Sequence, residues 1–207
     1  MNKMEVKIIE KNERTMRVRV EDIEFAMANA LRRIMIGEIP VMAIEHIDFT
    51  ANGSGLVDET LAHRFGMVPL KFSADKYNLP SECTCKGKGC SKCQAGFSLE
   101  KMGPGIVRAG DLQSDDKDVV PLDENMPVVE LLENQAVKLT ALAQLGLGHE
   151  HAKWQAATVG YEQRGKSFTF NIDSACGLSA QEIFEKALEI LSNRADEFAK
   201  AVKKELK

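Results

Sequence analysis

Four cysteines within a stretch of eleven residues are the part of this sequence with the clearest chemistry. They are Cys83, Cys85, Cys90 and Cys93, in the pattern C-x-C-x4-C-x2-C. Four thiolates on one short loop suit a tetrahedral zinc ion, which binds cysteine sulfur at about 2.3 Å. Four protein ligands leave no position open for water or substrate, so we expect a structural zinc site and not a catalytic one.

The residues between the cysteines favour a metal site. Gly87 and Gly89 give the loop the backbone freedom to turn tightly and to bring four sulfur atoms together. Zinc with four thiolates carries a net charge of about −2. The lysines Lys86, Lys88 and Lys92 are placed to offset that charge.

Other interpretations of the cluster stay open at this point. Cysteine thiolates also bind iron–sulfur clusters, and reduced free thiols or a redox pair of Cys90 and Cys93 are further alternatives. A redox C-x-x-C pair normally opens a helix after a strand, and the glycine-rich flanks do not predict that arrangement. The fifth cysteine, Cys176, stands apart and is interpreted as a small buried hydrophobic residue.

Other polar residues form no set that we would nominate for catalysis. His149 and His151 have no third ligand at a telling distance and favour a surface or turn position. His63 is isolated in the sequence, and Asp115-Asp116 lies in a charge run that predicts a solvated loop. The chain contains no P-loop, dinucleotide-binding or nucleophile-elbow motif.

The composition narrows the class of protein. The 207 residues are 44% hydrophobic and 28% charged with a net charge of −4, which is typical of a globular protein and unlike a free-standing nucleic-acid binder. The sequence contains neither an apolar run of transmembrane length nor a secretory signal. We therefore expect a cytoplasmic protein without a membrane partner.

Hydrophobic periodicity in the first fifty residues predicts two strands, a helix and a third strand. Alternating apolar residues predict a hairpin within the first twenty residues. Spacing of three to four residues from Ile23 to Met35 then predicts a helix that Asp22 caps and Gly37 ends. A further extended run covers residues 41–49.

The end of the chain repeats this pattern, and the middle differs from both. Residues 168–172 alternate as a strand, and Ser179 with Glu182 forms a capping box that opens a helix of about 25 residues. The middle contains most of the 15 glycines, which predicts short strands and long loops. We predict an α+β fold with a discontinuous domain and a mostly β domain inserted into it. The predicted boundaries are 1–49 and 162–207 for the discontinuous domain and 50–161 for the insert.

The long C-terminal helix carries more apolar surface than a domain of this size needs to cover its sheet. Either a partner chain covers that surface or the helix packs along its own sheet, and the sequence favours neither. Five residues of this face are our candidate partner-binding residues: Ile183, Ala187, Ile190, Leu191 and Phe198.

Four motifs in a fixed order resemble one family. These motifs are similar to segments of the alpha-like subunits of RNA polymerases. They are N-A-L-R-R at 29–33 with Pro40, H-R-F-G-M-V-P-L at 63–70, the cysteine loop, and G-L-G-H-E-H-A-K-W at 146–154. That family includes an archaeal member, termed D, and the third-largest subunit of eukaryotic RNA polymerase II. The resemblance spans essentially the whole chain, and four motifs in register are more specific than any one of them.

The resemblance implies a non-catalytic assembly subunit. The family's fold has a dimerisation domain built from both chain ends, through which the archaeal member pairs with the small subunit L. With subunits N and P, this pair forms a platform for the large catalytic subunits, and no direct nucleic-acid contact is expected. Because the family's N-A-L-R-R helix lies against the second-largest subunit, Leu31, Arg32 and Arg33 join the candidate partner-binding residues. The alternative is that both arginines are simply solvated.

Two departures and two rival functions accompany this resemblance. Many archaeal relatives carry a ferredoxin-like domain with cluster-binding cysteines, but only Cys176 lies beyond residue 93 here, so no iron–sulfur cluster is expected. The second and third cysteines are separated by four residues, against three in the eukaryotic counterpart.

A zinc-stapled chaperone or thiol-exchange module would need a repeated C-x-x-C-x-G-x-G pattern, which this sequence lacks. A zinc-loop nucleic-acid binder would need more phosphate contacts than three lysines provide.

Overall fold

The structure is a computed structural model that describes residues 4–206, and these residues form two compact units. The two-ended unit contains the described residues up to Ile39 and from Gln155 onward, and the middle unit contains Pro40–Trp154. The described chain is α+β, since it contains both long helices and antiparallel sheets.

Twelve strands and three α-helices occur in residues 4–206. The strands are β1 Glu5–Lys11, β2 Thr15–Glu21, β3 Val41–Asn52, β4 Leu70–Lys71, β5 Gln94–Met102, β6 Gly105–Arg108, β7 Gln113–Ser114, β8 Val120–Pro121, β9 Pro127–Leu131, β10 Ala136–Gly146, β11 Ala157–Arg164 and β12 Ser167–Ser174. The helices are α1 Phe25–Gly37, α2 Asp58–Gly66 and α3 Ala180–Glu205, with short 3-10 helices at Ala109–Asp111 and Ala152–Trp154.

The two-ended unit is built on an antiparallel sheet in the order β1-β2-β12-β11. Val18 lies opposite Phe170 and Val20 opposite Phe168, so these four side chains share one face of the sheet. All four are buried, and α1 and α3 contact both each other and strands of this sheet. The predicted hairpin and the predicted last strand are confirmed as β1–β2 and β12.

The starts of the two long helices are specified differently. α3 begins with the predicted capping box, in which Glu182 N donates to Ser179 Oγ at 3.2 Å and Ser179 N donates to Glu182 Oε2 at 2.7 Å. α1 begins after Glu24, and that residue makes no side-chain capping bond. The predicted Asp22 cap is wrong. Asp22 has a left-handed backbone (φ 59°), and Glu24 occupies the capping position directly before the helix.

The middle unit contains a second antiparallel sheet, in the order β3-β10-β5-β7, and the two-stranded ribbons β4–β8 and β6–β9. Helix α2 contacts β3 and β9, and it buries Leu61 and Phe65. β10 has 11 residues and β5 has 9, so the central strands are longer than the short strands that the glycine content predicts. No helix within residues 4–206 combines the length and apolarity needed to cross a membrane.

Strand pairing explains why the junctions between the units differ from the predicted boundaries. β3 pairs with β10 along its length, from Val41 opposite Gly146, so residues 41–49 belong to the middle unit. β11 pairs with β12 from Ala157 opposite Ser174, so the residues from Gln155 onward belong with the chain ends. Hydrophobic periodicity in the sequence assigned residues 41–49 to the discontinuous domain, and it did not predict β11.

Candidate metal centre and partner-binding residues

The structure brings the four clustered cysteines together. All four sulfur atoms lie within 4.8 Å of one another. The Sγ atoms of Cys83 and Cys90 are 3.6 Å apart, as are those of Cys85 and Cys93, and those of Cys90 and Cys93 are 3.8 Å apart. A tetrahedron with 2.3 Å zinc–sulfur bonds has edges of about 3.8 Å, whereas a disulfide would need about 2.05 Å. The thiols are all free, and their spacing fits a four-coordinate metal ion.

Left-handed backbone conformations fold the loop around this centre. Lys86, Gly87 and Gly89 have φ of 54°, 77° and 85°. At Gly89 the left-handed backbone favours glycine, and a Cβ there would also displace the amide end of the Gln94 side chain. The prediction that glycines let the loop turn tightly is confirmed at Gly87 and Gly89.

Backbone hydrogen bonds define two tight turns that present the sulfurs. Lys86 N donates to Cys83 O at 2.9 Å, and Cys93 N donates to Cys90 O at 2.9 Å. Each cysteine pair therefore sits on its own turn. Beyond the second turn the chain enters β5, so one end of the loop is continuous with the main sheet of the middle unit.

The cysteine environments differ in their preference for the thiolate. Burial raises the pKa of Cys93 to about 12. Burial also opposes ionisation of Cys85, but hydrogen bonds from the thiols of Cys83 and Cys93 lower its pKa to about 6. A bound divalent ion requires all four thiolates, so binding releases protons and metal affinity rises with pH.

Two predictions about polar and sulfur residues have clear outcomes. Cys176 is buried, its sulfur accepts a hydrogen bond from Leu178 N at 3.4 Å, and burial raises its thiol pKa, as expected for a small core residue. Asp116, expected in a solvated loop, instead accepts hydrogen bonds from the Tyr77 hydroxyl and from Lys76 Nζ. Sequence patterns give no sign of this network, because its partners are about 40 residues apart in the chain.

The G-L-G-H-E-H-A-K-W segment has a structural role around its last two residues. Lys153 Nζ donates to Ile44 O at 3.1 Å, pairs with the Glu45 carboxylate, and lies 4.5 Å from the Trp154 ring centroid. Trp154 packs on Gly146, where a Cβ would lie 2.3 Å from the indole ring. These contacts join the segment to β3.

The same region also brings two of the motifs together. The rings of His63, in the H-R-F-G-M-V-P-L motif, and His151 have centroids 6.3 Å apart, a contact between residues that are far apart in the sequence. His151 Nδ1 accepts a hydrogen bond from Lys153 N at 3.1 Å. Both histidine side chains are exposed, in line with the surface position expected of His151.

The candidate partner-binding residues fall into a buried group and an accessible group. Leu31, Ile183 and Ala187 are at most 1% exposed, because α1 and α3 pack against each other and cover them. Their side chains therefore stabilise the two-ended unit itself. Arg32 is partly buried and its Nε donates to Asn29 Oδ1 at 3.4 Å, whereas Arg33 is exposed.

The second half of α3 extends away from the core of its unit. Ile190 and Leu191 are partly buried, and every residue at positions 192–206 is exposed. Phe198 is 73% exposed. An ion pair between Arg194 and Glu38 lies at the point where the helix leaves the core.

The two-ended unit thus combines a sheet made from both chain ends with two helices that pack together, and the middle unit carries the four-cysteine loop. A family model described as "RNA polymerase Rpb3/RpoA insert domain" matches residues 47–174. The chain belongs to the Rpb3/RpoA family.

Proteins described as "DNA-directed RNA polymerase subunit Rpo3" are similar to this chain. The protein from Archaeoglobus fulgidus is 43% identical over 155 residues, which cover 75% of this chain and 59% of the relative. The Pyrococcus furiosus protein is 41% identical over 77% of this chain and 59% of its own length. The Methanosarcina acetivorans protein is 38% identical over 86% of this chain and 68% of its own length. The chain thus spans about three-fifths of the length of the first two relatives.

Proposed function

We propose that the chain is a non-catalytic assembly subunit of an archaeal DNA-dependent RNA polymerase in the cytoplasm. It pairs with the small subunit L through the two-ended unit, in the discontinuous dimerisation domain expected from the sequence. Together with subunits N and P, the pair supports the large catalytic subunits during assembly. The observation that carries the proposal is the exposed apolar half of α3.

The exposed half of α3 has the spacing of a helix-packing surface. The apolar residues on this stripe recur at alternating intervals of three and four: Leu188, Leu191, Ala195, Phe198 and Val202. Leu188, Phe198 and Val202 are 40%, 73% and 38% exposed. This is the pattern of positions that interlock with a second helix, and it favours a helical partner over solvent.

A second uncovered apolar surface belongs to the edge strand β1. Val6 lies opposite Val20 and Ile8 opposite Val18, so Val6 and Ile8 share the sheet face that carries the buried core. Both are nevertheless 55% exposed. Apolar side chains left uncovered on the sheet face that carries the core support the presence of a partner on this unit.

The arginines of α1 are the proposed contact with the second-largest polymerase subunit. Arg33 is exposed, and in residues 4–206 it forms no ion pair. A guanidinium group binds carboxylates bidentately, which suits protein interfaces. Arg32 is the second candidate for this contact, although it is partly buried and its Nε donates to Asn29 Oδ1.

The proposed metal is structural zinc bound by the four cysteines. Thiolates at these separations would hold the ion through four protein ligands and leave no site for a substrate. The ion would stabilise a loop whose cysteines lie among glycines and lysines and not among large apolar residues. The chain would contribute no catalytic residue to transcription and would make no direct nucleic-acid contact.

A thiol-exchange module is the second candidate function. The lowered pKa of Cys85 favours it, since thiolates are the nucleophiles in disulfide exchange. Reduction of insulin disulfides by the metal-free chain distinguishes the two functions. We expect no activity above that of a variant with Cys85→Ser.

Co-expression with subunit L tests the proposed function. Produced alone, the chain should self-associate, because its exposed apolar surfaces lack a partner. Produced with subunit L, it should elute as a 1:1 complex, with the mass measured by light scattering. A lone chain that is a stable monomer and has no affinity for subunit L would contradict the proposal.

A further inference from the structure

We propose that Asp116 is a positioning residue that holds the cysteine loop in its metal-binding conformation. This inference rests on the proposed metal centre and adds a residue outside the ligand set. Asp116 lies between β7 and β8, about twenty residues after the last cysteine of the loop.

The Asp116 carboxylate is the meeting point of several donors. It accepts hydrogen bonds from the Tyr77 hydroxyl and, at 2.8 Å, from Lys76 Nζ. Asp118 N donates to the same carboxylate at 3.0 Å. The Asp116 side chain is 17% exposed and its Lys76 partner 42% exposed, and the bond from the Tyr77 hydroxyl is the part-buried member of the set. Hydrogen bonds to an ionised carboxylate are roughly twice as strong as bonds between neutral groups.

The carboxylate is itself fixed in position by its own segment. Ser114 Oγ donates to Asp116 O at 2.9 Å, and Asp116 N donates to Ser114 Oγ at 3.1 Å. The neighbouring Asp115 accepts a hydrogen bond from Gly96 N at 2.9 Å, which ties the segment to β5. The segment that carries the Asp116 carboxylate is therefore hydrogen-bonded to the main sheet of the middle unit.

The network reaches the metal ligands through one backbone contact. Tyr77 is 5% exposed, so its ring is held by packing while its hydroxyl bonds Asp116. The following residue, Asn78, donates its N–H to Lys92 O at 2.9 Å, and Lys92 directly precedes Cys93. Loss of the Asp116 contacts would therefore loosen the backbone around Tyr77 and Asn78, and with it the hydrogen bond to Lys92 that helps to position Cys93.

The contribution of Asp116 differs from that of its neighbour Asp118. Both carboxylates pair with Lys76, at 2.6 Å and 3.0 Å. Asp118 is 59% exposed, whereas the Tyr77 hydroxyl donates its hydrogen bond to Asp116. Exposed ion pairs contribute little to stability, so Asp118 provides a matched control with the same charge and the same lysine partner.

Chelator-driven metal release from the full chain tests the proposal. The variants are Asp116→Ala, Tyr77→Phe and the control Asp118→Ala, each loaded with zinc and checked for metal content. We expect release from Asp116→Ala to be roughly tenfold faster than from the unaltered chain, the lower end of what outer partners of metal ligands contribute. Tyr77→Phe should also release faster, and Asp118→Ala should match the unaltered chain.

Hydrogen exchange distinguishes positioning from general destabilisation. In Asp116→Ala, amides of residues 79–93 should exchange faster while those of β10 keep their protection. Equal loss of protection in β10 would show a merely structural role and overturn the proposal. If Asp116→Ala does not fold, Tyr77→Phe decides alone, and release at the unaltered rate overturns the proposal.

Loss of the Asp116 role and loss of the metal centre give different experimental results. A loaded Asp116→Ala variant that releases metal at the unaltered rate refutes the role of Asp116 and leaves the metal centre standing. An unaltered chain that binds no zinc refutes the metal centre, and the role of Asp116 falls with it.

Discussion

Phe198 offers the sharpest test of α3 as a partner surface, through the substitution Phe198→Ala. Its side chain is 73% exposed and lies in the half of α3 where every residue is exposed. In the lone chain, diluted until it is monomeric, the substitution should change the free energy of unfolding by no more than about 0.5 kcal/mol, as for other exposed positions. In a complex with subunit L the same ring should be buried.

The expected loss of affinity follows from the area that remains to be covered. A phenylalanine side chain buries about 200 Å², so an exposure of 73% leaves roughly 150 Å². At about 25 cal/mol per Å² this area corresponds to a ceiling of about 4 kcal/mol. Ordering costs on binding reduce that value, and we expect about 2 kcal/mol, or about a 30-fold weaker dissociation constant.

Titration calorimetry with purified subunit L measures this loss, and two variants on the same helix serve as controls. Lys200→Ala changes an exposed residue off the apolar stripe and should leave the affinity unchanged. Ile183→Ala removes a fully buried side chain and should instead cost the lone chain about 2–5 kcal/mol of stability, measured by urea unfolding.

An affinity for subunit L that is the same in Phe198→Ala as in the unaltered chain would show that the exposed half of α3 is not the interface. A large loss of stability in the lone Phe198→Ala variant would show that the ring is covered within the chain itself.

Three further predictions concern the middle unit and its metal. Gly146→Ala should destabilise the chain by about 1–3 kcal/mol in urea unfolding, because the added methyl group would meet the Trp154 ring; an unchanged midpoint would contradict this packing. Cys93→Ser should abolish bound zinc in elemental analysis while Cys176→Ala keeps it, and equal zinc in both would remove the proposed site. The Lys76 and Tyr77 hydrogen bonds lower the pKa of Asp116 from 3.8 to about 2, so its contribution to stability should be complete above about pH 4 and lost as the pH falls towards 2. In the metal-free chain, Asp116→Ala should show a smaller loss of stability over that pH range, and an equal loss would refute the assignment.

Sequence patterns that span a few neighbouring residues correctly predicted the elements that interactions between such residues specify. The capping box of α3 uses residues three positions apart, and the β1–β2 hairpin follows from alternation within each strand. The cysteine cluster was found for the same reason, since its four cysteines lie within one short stretch. Such features need no knowledge of the tertiary fold.

Features that depend on pairing between distant segments were not predictable in this way. The boundary at residues 39–40 follows from the pairing of β3 with β10, which joins segments about a hundred residues apart. The network between Tyr77 and Asp116 joins positions 39 residues apart, so a charge run alone gave no sign of it. Helical periodicity marked Ile183 and Phe198 as one apolar face, but only the packing of α1 separates the buried residue from the exposed one.

Affinity purification of the tagged chain from an archaeal host, with mass identification of the proteins that accompany it, tests the central proposal most directly. The proposal predicts subunit L together with subunits N and P and the large catalytic subunits of RNA polymerase. It also predicts a lower recovery of subunit L in the Phe198→Ala purification. Recovery of the tagged chain without any polymerase subunit, at the same expression level, would contradict it.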